Sequence, residues 1–100
     1  MSSPNPNGAS PETPAMPVAD RIRARLLKAG RRFHANDNIS AFIEEGELEA
    51  LRDEVATQIA GLLRALVIDT ESDHNTRDTA RRVAKMYLKE VFAGRYQAAP

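Results

Sequence analysis

Cysteine is absent from this 100-residue chain. Disulfides, thiolate metal sites, cysteine nucleophiles and redox motifs are therefore excluded. Proline is nearly confined to one end: five of the six lie in the first seventeen residues, MSSPNPNGASPETPAMP, a stretch with almost no large apolar side chains and so no means of building a core. No run of 18 apolar residues exists, and the N-terminus has neither the basic nor the apolar segment of a secretory signal. The expectation is a cytoplasmic protein that does not enter a membrane. Net charge is also lacking, at zero, which argues against generic attraction to nucleic acid.

The charges that are present are segregated. Asp20 to His34 sums to +5, Asp37 to Glu54 to −6 and Arg77 to Arg95 to +4. Blocks of opposite sign in one chain answer each other, or another subunit, before they answer DNA. Two isolated histidines, His34 and His74, have no second histidine at helical spacing and are expected in solvated or hydrogen-bonded roles.

Three segments follow: a disordered tail over 1–17, a short basic helix and turn over 18–36, and a helical region over 37–100. In the second, Val18, Ile22, Leu26 and Leu27 recur at helical spacing among arginines, with Pro17 before and Gly30 after, predicting a peripheral amphipathic helix with a solvated basic face. Ile39, Phe42 and Ile43, ahead of Gly46, suggest one helical turn. The strongest periodicity runs from Glu47 to Ile68, where Leu48, Leu51, Val55, Ile59, Leu62 and Leu66 form one stripe, read as core or subunit seam. Glu47 and Glu49 suit the positive end of that helix.

The segment DTESDHN breaks the pattern with residues that bond their own backbone, predicting a loop from Asp69 to Thr76. It lacks the glycine and terminal glutamate of a calcium loop. Asp78 or Thr79 is the expected cap of a last helix running from Ala80 to Ala93, with Gly94 at a left-handed C-cap. Ala80, Val83, Ala84, Tyr87 and Val91 make its apolar face, while Leu88 and Phe92 fall outside that face, predicting contact on a second side. The long helix, through Leu62 and Leu66, and the last helix, through Val83 and Tyr87, are expected to pack antiparallel across the connecting loop. The 100 residues read as all-α.

The stretch NTRDTARRVAKMYLKEVFAGRY resembles the segment that precedes the catalytic domain of GTP cyclohydrolase I. In that family a helix of type T-x-x-R-[VI]-A-K-M-Y is followed by E-[VI]-F-x-G, matched here by Thr79, Arg82, Val83, Ala84, Lys85, Met86 and Tyr87, then Glu90, Val91, Phe92 and Gly94. Ala80 stands where the family often has proline; either residue suits a first helical position. The likeness covers Asp37 to Pro100.

The resemblance implies a zinc-dependent hydrolase that opens the purine ring of GTP, releases formate and yields 7,8-dihydroneopterin triphosphate, the first step toward folate-type pterins. It also implies an α+β tunnel fold in a ring-shaped homodecamer. The family's zinc activates water for attack on the purine carbon, held by two cysteines and a histidine that lie, in the family, beyond the position matching Pro100. The expectation is that no catalytic, cofactor or metal residue falls in this chain, and that its helices serve subunit packing without touching GTP. Leu62, Leu66, Thr79 and Val83 are the assembly candidates, with Tyr87, Val91, Phe92 and Gly94. One alternative is a stand-alone helical interaction module without activity. Another, a DNA-binding helix pair using Arg77, Arg81, Arg82, Lys85 and Lys89, is opposed by the zero net charge and the acidic loop before that helix.

Overall fold

The computed structural model describes residues 12–98, with the Arg77 side chain left aside. The expected disordered tail falls largely outside the described residues; Glu12 to Pro17 are placed against the first helix. All regular structure among the described residues is helical: α1 (Val18–Lys28), a 3₁₀ turn (Ser40–Phe42), α2 (Glu47–Ala65), α3 (His74–Met86), a π turn (Tyr87–Val91) and α4 (Ala93–Tyr96). None of these helices is long and apolar enough to cross a membrane.

α1 begins after Pro17, whose side chain offers no cap. The Glu54 carboxylate of α2 supplies one instead, accepting from the Val18 N–H and, at 3.0 Å, from the Ala19 N–H, two donors that no helix can satisfy from within. Asp20 in the first turn and Lys28 in the last suit the helix dipole. Gly30, at φ 65°, ends the helix in a Schellman motif: Arg31 N–H donates to the Leu26 carbonyl at 3.0 Å and Gly30 N–H to Leu27 at 3.1 Å.

α1 is not peripheral. Val18, Ile22 and Leu26 are buried with Ile39, Leu51 and Leu88, and Phe33, Phe42, Leu48 and Tyr96 pack around them. Arg23 and Lys28 face solvent, whereas Arg25 and Arg21 turn toward Glu47 of α2, and the apolar stripe of α1 is one wall of the core.

α2 ends three residues earlier than its periodicity suggests. Ile68 N–H donates to the Leu63 carbonyl at 3.1 Å and Val67 N–H to Arg64 at 2.9 Å, a second Schellman motif whose left-handed position holds Val67, at φ 65°, where glycine is usual. A β-branched residue is strained there by about 1–2 kcal/mol. Val67→Gly should therefore stabilise the fold by about 1 kcal/mol, read as a higher melting temperature. An unchanged or lower value would refute the strain.

α3 starts at His74, six residues before the expected position. Asp73 is its cap, accepting from the Asn75 N–H at 3.0 Å. Thr79 is no cap: its hydroxyl donates to the Asn75 carbonyl one turn back, at 2.8 Å. At the far end Phe92 N–H reaches the Tyr87 carbonyl, five residues back, at 2.9 Å, the signature of a π turn. Gly94 lies inside α4 and not at a left-handed cap.

α2 and α3 pack antiparallel, as the short connection predicts. The Ala60–Arg64 end of α2 faces Thr76 and Ala80, while Gly46 and Leu48 face Lys85, Leu88 and Lys89. The seam differs from expectation. On α3 the buried positions are Thr76, Ala80 and Ala84, continued by Leu88 in the π turn; Val83 is half-buried, and Tyr87 and Val91 are exposed. On α2 the stripe is buried at Leu51, half-buried at Leu48, Val55 and Ile59, and open at Leu62 and Leu66. α1 and Ile39 reach only the first half of α2, so at its far end α3 meets one side and the Leu62 and Leu66 side is left open among the described residues.

Candidate functional site

Two polar arrangements compete for attention, and their chemistry separates them. The first joins α1 to the start of α2. Arg25 donates to both carboxylate oxygens of Glu47, at 2.5 and 2.6 Å, to the Phe42 carbonyl at 2.8 Å, and to Glu12. Glu47 also accepts from the Glu44 N–H at 2.8 Å. The Arg25 bonds hold the Glu47 carboxyl down at about 2 against the opposing effect of burial, with help from the Glu44 N–H. Both partners are closed off and largely satisfied, so this pair joins elements and offers nothing to a ligand.

The second arrangement is a groove of about 280 Å³ lined by Arg52 of α2 and Arg81, Arg82 and Lys85 of α3. Its geometry follows from the seam. Ala80 and Ala84 are small, so the two backbones approach closely, and the long basic side chains flank the contact on its outer side. Arg81 and Lys85, four residues apart, share a face of α3. Among the described residues no carboxylate lies within 4 Å of Arg81, Arg82 or Lys85, and Arg52 meets only its neighbour Asp53, at 3.9 Å. The groove abuts a second cleft where Glu45 and Glu49 stand near Lys85 and Lys89.

Four cations with so little neutralisation make a site for a multiply charged anion. His34 and His74 are both exposed, in a turn and at the start of α3 respectively, and line neither cleft. No three His, Cys, Asp or Glu side chains converge among the described residues. The described residues do not have the donor set for the zinc that the resemblance implies.

The assembly candidates do not form one surface. Leu62 and Leu66 stand open at the far end of α2. The π turn brings Tyr87 onto Phe92, with ring centroids 6.1 Å apart, and the Gly94 carbonyl accepts from the Asn38 side chain at 2.9 Å. The basic residues of the last helix were visible as one flank of the sequence. Arg52 was not, because only the antiparallel register of α2 against α3 sets it opposite Lys85.

No family model matches the chain, and no curated protein or solved structure does.

Proposed function

We propose that these residues are the N-terminal helical region of a GTP cyclohydrolase I-type enzyme, which hydrolyses GTP to 7,8-dihydroneopterin triphosphate and formate. We propose further that the basic groove takes part by holding phosphate groups. The reading rests on the ordered likeness from Thr79 to Gly94. The observation that carries it is that two residues of that motif, Arg82 and Lys85, line a groove with Arg52 and Arg81, and that among the described residues no carboxylate lies within 4 Å of Arg82 or Lys85. A triphosphate carries the complementary charge. This departs from the expectation that the helices stay clear of GTP. The wider assignment, a zinc enzyme assembled as a homodecamer in the cytoplasm, comes from the resemblance alone.

Binding of GTP, inorganic triphosphate and guanosine to the purified chain tests the groove. GTP and triphosphate should compete for one site whose affinity falls as salt rises, and guanosine should not bind. Replacing Arg82 and Lys85 together by alanine should weaken GTP by about tenfold or more, with helix content unchanged. Equal binding of guanosine and GTP would overturn the role of the groove. The enzyme assignment has its own test. The gene read past codon 100 should encode a Cys-x-His-His motif and a later cysteine near a histidine, and a stop codon there would favour the second reading.

That second reading, a stand-alone helical interaction module, draws on a different observation: the apolar side chains left open at the end of α2. It predicts association with other chains without nucleotide binding.

A further inference from the structure

Beside the basic groove the α2–α3 seam opens into another cleft, of about 350 Å³, between the later part of α2, the connecting loop and the start of α3. Ala56, Ala60 and Ala80 line it and are too short to fill the space between the two helices. Its polar groups are Asp53 and Arg64 of α2, Glu71 of the loop and Arg81 of α3, with the hydroxyls of Thr57 and Thr76. Arg81 lines the basic groove as well, and Asp53 directly follows Arg52, so the two cavities adjoin.

Thr76 is the unusual member. It is 7% exposed, and its N–H donates to the Asp73 carbonyl at 3.1 Å, but among the described residues its hydroxyl has no hydrogen-bond partner. That hydroxyl is not sealed in; it opens into the cleft. A buried hydroxyl normally finds a partner, because without one its hydration is lost for nothing. Thr57 already donates to the Asp53 carbonyl, at 3.1 Å, and keeps its lone pairs for an incoming donor. The carboxylates are open too: among the described residues Glu71 has no ion pair within 4 Å, and Asp53 meets only Arg52, at 3.9 Å.

Charge and shape decide what the cleft can take. Asp53 and Glu71 offset Arg64 and Arg81, so a polyanion gains little by entering, in contrast to the adjoining groove. No aromatic side chain lines the cleft, so a nucleobase finds no ring to stack on. A neutral group dense in hydroxyls fits, since each hydroxyl both donates and accepts. Carboxylates accept from sugar hydroxyls, and threonines exchange hydrogen bonds with them.

We propose that this cleft holds the sugar of a phosphorylated ligand whose phosphate groups lie in the basic groove, with Thr76 and Asp53 bonded to the sugar hydroxyls. The ligand class is then a ribose-bearing polyphosphate and not a bare phosphate chain. The inference rests on the phosphate-binding reading of the groove and deepens it.

Titration calorimetry of the purified chain with GTP, with dideoxy-GTP, which lacks both ribose hydroxyls, and with inorganic triphosphate tests it. GTP should bind about threefold to tenfold more tightly than dideoxy-GTP, the range of one net hydrogen bond, and dideoxy-GTP should bind like triphosphate. Thr76→Val, nearly equal in shape, should remove that preference and leave triphosphate binding unchanged, with helix content checked by circular dichroism. Asp53→Asn, at an exposed position, should erode the preference in the same way. Equal affinity for GTP and dideoxy-GTP, or a preference that survives both substitutions, would overturn the sugar site, while continued binding of triphosphate would leave the groove reading intact. Triphosphate that fails to bind would remove the groove reading and the sugar site with it.

Discussion

Glu47→Gln should lower the stability of the chain by about 3 kcal/mol at neutral pH, enough to remove much of what a domain of this size possesses. The Glu47 side chain is 8% exposed and that of Arg25 is 13%. Replacing the carboxylate leaves the guanidinium with one neutral acceptor in place of two charged ones on its inner side and only the more exposed Glu12 as a close carboxylate, and a buried charge stripped of its buried partner is the costly state. Shape is nearly conserved, so the loss isolates the charge.

The same pair sets a pH dependence. The Glu47 carboxyl is lowered from 4.5 to about 2 by its bonds to Arg25. A depressed acid contributes stability that is complete above its unfolded value and lost as pH falls through the folded one. The wild-type chain should therefore weaken between about pH 4.5 and pH 2, and the glutamine variant should show a shallower decline over that window. Urea unfolding at a series of pH values measures both. Parallel curves for the two proteins would show that the pair contributes nothing net.

Leu26→Ala should cost about 3 kcal/mol, within the range for a buried leucine truncated in a well-packed core. Leu26 is 2% exposed and sits among Ile22, Ile39 and Leu51. Leu62→Ala is the informative contrast. By sequence periodicity alone it should cost as much, about 2–5 kcal/mol. Its observed exposure predicts a loss below about 0.5 kcal/mol in the monomer. Melting of the two variants separates the expectations. Equal losses would place Leu62 in the core.

The contrast shows what the sequence could and could not convey. Helical periodicity located α1 and α2 because Pro17, Gly30 and Gly46 punctuate them in residues whose conformational preferences are strong. It overran the end of α2 because the left-handed position there is held by Val67, which carries no such signal. It began α3 late because Asp73 and His74 read as loop, although an aspartate ahead of a polar first turn is an ordinary cap. The inner face of α3 was misassigned for a related reason. Spacing gives the angular position of each side chain, but the choice between Tyr87 and Leu88 as the inward residue depends on which neighbour arrives. The basic flank was legible as a row of cations, and its closure into a groove by Arg52 depended on a pairing register that no single helix encodes.

The carboxylate that caps α1 has a consequence for how the chain folds. Glu54 lies 36 residues beyond Val18 and 35 beyond Ala19. An isolated helix of eleven residues is marginal in water, and this one has no cap from its own N-cap residue. α1 should gain its first turn only when α2 is already in place to receive it, and the two should open together. The amides of Val18 and Ala19, at a position where most helices fray, should then exchange with solvent as slowly as those in the middle of α2, and Glu54→Ala should speed both without touching the exchange of α3.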